Sequence, residues 1–339
     1  MRLTFEEVKT ALKEVLLTRR CQPELAERVA YEMARNSLEG TYTHGINRFA
    51  SLIKNIDGGL VHVNAIPVLK RKALAMENYD GQLGLGVTNA MFCMDRAIIL
   101  AREYGVGLVA LGNTNHWMRA ATYGYQACQE RMVGICFTNT IPNMPTWGAQ
   151  DARLGNNPLM LAFPRAKGDV VVDMAMSQFS YGALELARLQ KRHMPIDAGF
   201  DTSGELTRDP AKVLESQRII PAGYWKGAAL SFILDIMAGG LSEGNSTAVI
   251  GQLPGGGEYG VSQVFIAIDL WQIVDRNAVE DMVDAAVEDL LASKPAVEGE
   301  RIVYPGQRLT EIREENLKNG IPVDEGVWQE ILELLNQRD

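Results

Sequence analysis

The sequence changes character twice along its length, and this restricts the folds available to it. Roughly the first 60 residues carry apolar side chains at helical spacing, and acidic amphipathic patterns return after Asn277. Between these regions lie short runs of β-branched and apolar residues that glycine, proline or asparagine interrupts. Such runs are typical of strands. We therefore expect an α/β (α+β) chain with helices at both ends, a mixed sheet between them and no internal repeat.

Three helices are predicted near the start of the chain. Thr4 and Glu7 have the spacing of a capping box, in which each side chain accepts a hydrogen bond from the other residue's backbone. Pro23 opens a second helix that Gly40 closes, because proline suits the first turn and glycine the position after the last. A third helix is expected over residues 46–56.

The middle of the chain is predicted to hold the sheet. Strands are expected at residues 67–72, 107–111, 133–137, 158–163, 170–174 and 264–268. Helices are expected at residues 88–104, 224–240, 279–292, 310–319 and 327–337, the second of them mostly buried. We assign residues 1–65 together with 278–339 to a helical part, and residues 66–277 to a mixed-sheet part that binds a cofactor.

Charge and cysteine content narrow the classes of function. The 339 residues include 42 acidic and 33 basic side chains, and the net charge of −9 repels nucleic acid and anionic membranes. The longest uncharged window, residues 133–150, contains threonine, asparagine and proline and is interpreted as strand and loop. The four cysteines are sparse, and the N-terminus does not resemble an export signal. A cytoplasmic protein without nucleic-acid or membrane partners is expected.

Two glycine-rich segments do not match nucleotide-binding motifs. Gly81, Gly84 and Gly86 stand in the wrong order for G-x-G-x-x-G, and the run from Gly255 to Gly260 precedes a strand. We interpret both segments as turns that need a positive φ. The sequence also lacks the P-loop and the nucleophile elbow of serine hydrolases. Neither glycine-rich segment is a Rossmann fingerprint.

A histidine and an arginine stand near the start of the third predicted helix. His44 is placed at the helix N-terminus, and Arg48 is one turn further along. Backbone N–H groups favour an anion there, and a guanidinium can hold a carboxylate by two parallel hydrogen bonds. The pair indicates an anion site beside a proton donor. A histidine cap with a solvated arginine is the alternative.

Other candidate residues follow strands or begin a helix. His116 follows the apolar run that ends at Leu111, at the sheet edge where ligands collect, although a structural histidine is the alternative. Asp173 ends an apolar strand and is either a cap or a site residue. Trp225 and Lys226 offer a ring and a cation at a helix start, unless Trp225 belongs to the core. The histidines lack metal-ligand spacing, so no metal site is predicted.

Taken in order, these segments resemble the type-2 malate/L-lactate dehydrogenase family, and the likeness extends essentially from end to end. Three motifs, at residues 116–119, 179–182 and 223–227, are specific to one branch of the family, which reduces a diketo sugar acid. The segments that carry the resemblance are Thr43-His44-Gly45 with Arg48, Asn113 to His116, Thr138 to Thr140, Gly155 to Pro158, Val172 to Ala175, Gly223 to Gly227, and Pro305-Gly306.

The resemblance implies a non-Rossmann fold and an NAD(P)H-dependent reductase of a 2-oxo acid. In relatives the histidine that matches His44 donates a proton, the arginine that matches Arg48 lies in the substrate pocket, and the histidine that matches His116 lies nearby. We expect these three residues to be catalytic, with His44 as an imidazolium that could exchange roles with His116. Cofactor contacts are implied at Thr140, Asp169, Val170, Val171, Val172, Asp173, Met174, Ala175, Trp225, Lys226, Gly306, Gln307 and Arg308.

The preferred cofactor depends on a local balance of charge. Asp169 would repel the 2′-phosphate of NADP, whereas Arg165 and Lys167 would attract it, and NAD is favoured. Members of the family are homodimers with active sites near the subunit interface, so a homodimer that acts on a small 2-oxo acid is expected. One alternative is a reductase of another 2-oxo acid, of the kind whose reduction gives malate, lactate or ureidoglycolate. The others are a metal-dependent sugar-acid hydro-lyase and a binding protein without activity.

Overall fold

The computed structural model describes residues 1–255 and 257–337, with helices at both chain ends around a central sheet. The strands are β1 (Arg2–Leu3), β2 (Val68–Ala73), β3 (Met76–Asp80), β4 (Val106–Asn115), β5 (Val133–Thr138), β6 (Met144–Pro145), β7 (Ala152–Leu154), β8 (Leu159–Phe163), β9 (Val170–Met174), β10 (Gly199–Phe200), β11 (Leu206–Thr207), β12 (Tyr259–Ile268) and β13 (Ile321–Pro322).

Helices of very different length connect these strands. They are α1 (Phe5–Thr18), α2 (Pro23–Leu38), α3 (Phe49–Asp57), α4 (Gly86–Tyr104), α5 (Ala121–Gln129), α6 (Tyr181–Leu189), α7 (Pro210–Ser216), α8 (Trp225–Ser242), α9 (Thr247–Ile250), α10 (Arg276–Leu291), α11 (Gln307–Asn319) and α12 (Glu325–Asn336). Short 3₁₀ turns cover Tyr42–His44, Ile46–Arg48 and Leu270–Gln272. In the described part of the chain, no helix has both the length and the apolar character to cross a membrane.

Seven strands form one mixed sheet in the order β2-β3-β4-β12-β5-β8-β9. Neighbours are antiparallel except β3 and β4, which are parallel. The two ten-residue strands, β4 and β12, lie side by side in the middle and bury Val109 and Phe265 completely. The predicted fold class, a mixed sheet with helices contributed by both chain ends, is confirmed.

The first two helices form as predicted, and they pack against the C-terminal end. Thr4 Oγ1 accepts from Glu7 N at 3.2 Å while Thr4 N donates to Glu7 Oε2 at 2.7 Å, so the capping box is present. One apolar cluster joins Leu12 of α1 to Ile321 and Ile331 near the C-terminus. Helix α10 is attached to the sheet region by the Arg165–Asp284 pair. The exact division of the chain into two parts stays a prediction.

The third helix starts later than predicted. Residues 46–48 form a 3₁₀ turn, and α3 begins at Phe49. The cause is close packing at Gly45, where an added Cβ would lie 2.2 Å from Ser37 Oγ. The same hydroxyl accepts from Ile46 N at 2.9 Å and holds the turn. The prediction that His44 stands at the N-terminus of this helix is therefore wrong.

Helix α8 is apolar on both faces but is not mostly buried within one chain, which corrects the prediction. Its buried face is made largely of small residues: Gly227, Ala228, Ser231, Leu234, Asp235, Ala238 and Ser242. The opposite face exposes large apolar side chains, namely Leu230, Phe232, Ile233, Ile236, Met237 and Leu241. A helix that is hydrophobic all round is normally covered on all sides. This apolar face of α8 is unusual for a surface that meets water.

Residues 81–86 form a turn with positive φ, as predicted, and Gly84 N donates to Gly81 O at 2.8 Å, but the glycines themselves serve close packing. The positive φ values fall on Gln82 and Leu83, at 53° and 51°. Gly86 begins α4 directly against the end of β4, where a Cβ would lie 2.2 Å from the His116 carbonyl oxygen. In the second glycine-rich segment, Gly255 and Gly260 do have positive φ, at 85° and 65°.

A buried ion pair fastens α4 to β3, next to the central strands. Glu77 accepts from Arg96 Nε at 2.9 Å and Nη2 at 2.7 Å, and Tyr79 Oη donates to it at 2.8 Å. Only 1% of the Glu77 side chain is exposed. The hydrogen bonds from Arg96 are the main cause that lowers the pKa of Glu77 to about 2.

We expect Glu77→Gln to lower the free energy of unfolding by about 3 kcal/mol at pH 7, because it removes the charge of the buried carboxylate and leaves the partly buried Arg96 guanidinium without its counter-charge. A carboxyl with a lowered pKa stabilises the fold above its ordinary value of 4.5 and loses this effect as the pH falls toward about 2. The difference between variant and wild type should therefore shrink between those values. Urea unfolding followed by circular dichroism at pH 7 and pH 3 measures it.

The matched control is Glu130→Gln, which breaks the half-exposed pair with Arg102 and should cost less than about 1 kcal/mol. Equal losses in the two variants, or a difference that does not depend on pH, would contradict the assignment of Glu77.

Candidate active site

Two histidines, an arginine and a glutamate meet beside the central strands of the sheet. The rings of His44 and His116 stack with centroids 5.7 Å apart and planes at 20°. Arg48 Nη2 donates to Glu258 Oε2 at 3.0 Å, and the same oxygen lies 4.0 Å from His116 Nε2. The structure thus brings together the three residues predicted to be catalytic and adds Glu258.

The pairing of β4 with β12 explains why His116 and Glu258 meet. Asn115, the last residue of β4, is the register partner of Tyr259, the first residue of β12. His116 and Glu258 are the next residues outward on the two antiparallel strands. The end of the central ladder therefore sets two of the four side chains opposite each other, where sequence alone placed only His116 at the sheet edge.

Hydrogen bonds from neighbouring backbone and side chains fix both histidines. Met118 N donates to His116 Nδ1 at 3.0 Å. Because that nitrogen accepts, the neutral ring carries its proton on Nε2, the atom that faces Glu258. The His44 carbonyl accepts from Asn36 Nδ2 at 2.9 Å, and its ring Nδ1 lies 3.1 Å from Thr43 Oγ1.

The site keeps both imidazoles neutral near pH 7. Burial lowers the pKa of His116 to about 3, and the Arg48 charge acts in the same direction. Burial also lowers the pKa of His44 to about 3, assisted by His116, Arg48 and Arg119, whereas Glu258 raises it. An imidazolium at His44 in the protein without substrate is therefore not supported. The charges that remain are Arg48 and its partner Glu258.

Sequence reasoning missed Glu258 because its partner Arg48 lies 210 residues away. The residue stands in the glycine-rich run that we interpreted only as a turn. The sequence did contain one signal for Glu258: it is a single carboxylate within a glycine-rich run, directly before an apolar strand. Burial raises the pKa of Glu258, and the Arg48 guanidinium opposes that rise. Only 14% of the glutamate side chain is exposed.

The residues predicted to contact the cofactor gather along β9, the last strand of the sheet. Val171 N donates to Pro305 O at 3.0 Å, which brings Gly306 against this strand. Gly306 has a φ of 98°, and a Cβ there would lie 3.3 Å from Asp169 O. Gln307 and Arg308 follow in the first turn of α11. Glycine at this position therefore allows the turn before α11 to approach the β9 backbone closely.

Two further predicted segments meet β9 at its other end. Ala222 N donates to Met176 O at 2.8 Å, which places Trp225 and Lys226 beside the residue that follows Ala175. Met176 N donates in turn to Asn156 O at 2.7 Å. Thr140 reaches the same asparagine, because its Oγ1 donates to Asn156 Oδ1 at 3.2 Å.

Individual residues of this strand have different environments. Val171 is buried, whereas Val170 and Val172 are partly exposed and Met174 is exposed. Asp173 Oδ2 accepts from Ala121 N at 2.8 Å, so its carboxylate caps α5, the helix that follows the His116 segment. Trp225 is 63% exposed, which excludes the core alternative for its ring.

The residues around β9 fit a nicotinamide cofactor. The Asp169 carboxylate can accept hydrogen bonds from ribose hydroxyls, and the exposed Trp225 ring can pack against a planar ring. Asp284 pairs with Arg165 Nε at 2.6 Å and with Lys167 Nζ at 2.8 Å. Both cations that could attract a phosphate are thus engaged by one carboxylate of α10.

Comparison with known proteins agrees with these observations. The family model for malate/L-lactate dehydrogenases matches residues 3–332. A 2,3-diketo-L-gulonate reductase from Citrobacter koseri is 43% identical over 331 residues, which cover 98% of this chain and 99% of that protein. The protein of the same name from Escherichia coli K12 is 42% identical with the same coverage.

Solved structures confirm the non-Rossmann fold. Sulfolactate dehydrogenase from Methanocaldococcus jannaschii superposes with a TM-score of 0.90 at 28% identity, over 99% of this chain and 97% of that one. Malate dehydrogenase from Entamoeba histolytica gives a TM-score of 0.93 at 26% identity with the same coverage. The chain therefore belongs to the malate/L-lactate dehydrogenase family, whose members are nicotinamide-dependent oxidoreductases of 2-hydroxy and 2-oxo acids.

Proposed function

We propose that this protein reduces 2,3-diketo-L-gulonate to 3-dehydro-L-gulonate with NADH. The observation that carries the proposal is the meeting of Arg48, a guanidinium suited to a carboxylate, with the stacked rings of His44 and His116. The nature of the substrate is supported by the reductases at 42–43% identity. The motif at residues 179–182 packs beside the site, because a Cβ on Gly182 would lie 2.8 Å from Thr43 Cγ2, next to His44.

Arg48 is proposed to hold the substrate carboxylate. Its pair with Glu258 uses one nitrogen, and 40% of the arginine side chain is exposed. A guanidinium has five N–H donors, so it can bind a carboxylate while the glutamate stays in place. This grip orients the neighbouring ketone for reaction, a contribution that proximity makes large.

His44 is proposed to donate the proton, and His116 to donate a hydrogen bond to the ketone oxygen. A second proton on His116 would sit on Nδ1, directly against the Met118 N–H group. His116 thus acts through Nε2–H as a neutral donor. A bound substrate carboxylate adds a negative charge beside His44, which raises the pKa of this histidine back toward neutral. When bound, the nicotinamide cofactor supplies the hydride to the ketone carbon, and the proton goes to the oxygen.

We expect His44→Asn to lower kcat for reduction of 2,3-diketo-L-gulonate by about 10²–10⁴-fold, the range that general acid catalysis supplies. NADH binding, followed by nicotinamide fluorescence, should be unchanged because the cofactor residues lie along β9. The control is His193→Asn, an exposed histidine outside the site. Turnover within about tenfold of wild type would contradict the role of His44. Faster reduction of pyruvate or oxaloacetate than of the diketo acid would contradict the substrate.

NADH is the proposed reductant because Asp284 pairs with both Arg165 and Lys167 and so lowers the positive charge available to a 2′-phosphate. The wild-type kcat/KM for NADH should exceed that for NADPH by about tenfold or more, which corresponds to about 1.4 kcal/mol. Asp284→Asn should raise the use of NADPH several-fold, since it releases both cations toward a 2′-phosphate. Asp281→Asn on the same helix is the control. Equal use of the two cofactors by the wild type would be contrary to this assignment.

A cytoplasmic homodimer is the proposed state, with the apolar face of α8 at the subunit contact. That face exposes 55% of Phe232 and 49% of Ile236, a patch that water solvates poorly. The closed interface of two identical copies would cover it. The four buried, unpaired cysteines support a reducing compartment.

Ile236→Glu should convert the dimer to a monomer at micromolar concentration, because it places a charge in the centre of the contact. Sedimentation velocity measures the change. Ile273→Glu, at a position that is 84% exposed, should leave the dimer intact. A wild-type protein that sediments as a monomer would rule out this arrangement.

A further inference from the structure

We propose that Glu258 is a positioning residue for the reduction: it fixes the Arg48 guanidinium and supplies the negative charge beside which His44 carries its proton. The inference rests on the proposed reduction of a 2-oxo acid, but not on the identity of the sugar acid. Glu258 would not itself touch the reacting atoms. It would act through Arg48 and His44.

The geometry gives Glu258 contact with both halves of the site. Its Oε2 accepts from Arg48 Nη2 at 3.0 Å and lies 4.0 Å from His116 Nε2. The pairing of Asn115 with Tyr259 at the end of the β4–β12 ladder anchors the backbone on both sides of this contact. Glu258 is therefore held by the most central strands, whereas Arg48 lies in a short 3₁₀ turn. The strand-anchored carboxylate therefore orients the guanidinium.

The charges around His44 give Glu258 its second role, which is to favour a proton on that ring. The groups that face His44 are Arg48 from its own segment, His116 and Arg119 from the segment after β4, and Glu258. Burial, His116, Arg48 and Arg119 all disfavour an imidazolium at His44. Glu258 is the contributor in this set that favours it. Together with an incoming substrate carboxylate, it offsets the Arg48 charge and leaves room for one more positive charge on the ring.

The test separates the charge of Glu258 from the shape of its side chain with two variants. Glu258→Gln retains an oxygen that can accept from Arg48, and Glu258→Asp retains the charge with a shorter side chain. Steady-state reduction of the best 2-oxo acid found for the wild type, with saturating NADH, is followed from pH 5 to pH 9. Oxamate, an unreactive 2-oxo acid analogue, is titrated in the presence of NADH as a binding readout that needs no turnover.

For Glu258→Gln we expect kcat to fall by about 10–100-fold, less than the roughly 10²–10⁴-fold that general acid catalysis supplies, because His44 is still present. The midpoint of the alkaline loss of activity should move to lower pH by about one unit, because the imidazolium loses its counter-charge. The KM for the substrate anion and the Kd for oxamate should stay equal or fall, since the site is one charge more positive. Glu258→Asp should keep the wild-type midpoint.

Other outcomes separate the possible failures. A Glu258→Gln variant with a raised KM, weaker oxamate binding and an unmoved pH midpoint would overturn the charge role. Wild-type kinetics in that variant would overturn the whole inference. If the wild type binds NADH but turns over no 2-oxo acid, the proposed function fails. In that case weaker binding of oxamate by Glu258→Gln than by wild type would overturn the inference as well.

Discussion

The ion pair between Arg48 and Glu258 is the constraint on which the site depends. It brings a turn near the N-terminus into contact with the start of the last central strand. A guanidinium beside two poorly solvated imidazoles would be costly alone, and the carboxylate offsets that cost. With this pair in place the site is close to neutral before substrate binds. In the proposed mechanism, a substrate carboxylate then adds the charge that allows His44 to take up a proton.

The sheet supplies the distances that this chemistry requires. The end of the β4–β12 ladder sets His116 opposite Glu258, and Gly86 packs against the His116 carbonyl with no space for a side chain. Across the sheet, Asp173 of β9 caps the helix that follows the His116 segment. The strand that gathers the cofactor residues is thereby tied to the segment that carries a histidine. Hydride and proton donors can be held on one rigid frame, as precise positioning demands.

Much of this arrangement was predictable from local pattern, and the remainder depended on contacts between distant residues. The capping box at Thr4, the helix boundaries at Gly40 and Gly58 and the placement of His116 after a strand follow from short-range rules. The late start of α3 does not, because the packing of Gly45 on Ser37 decides it. The pairing of Arg48 with Glu258 and the pairing of Arg165 and Lys167 with Asp284 also do not follow from short-range rules. The apolar pattern of α8 predicted a mostly buried helix, which is wrong for one chain because its small residues pack inward and its large apolar side chains lie on the outer face.

The most direct test of the central claim is the protonation of the two rings, observed by ¹⁵N NMR of labelled histidine and assigned with His44→Asn and His116→Asn. At pH 7 without substrate, the account predicts two neutral rings, with the His116 proton on Nε2 and an unprotonated Nδ1. Addition of NADH and oxamate should then give a doubly protonated His44 and leave His116 unchanged. A second proton on His116, or an imidazolium at His44 before any anion is bound, would contradict it.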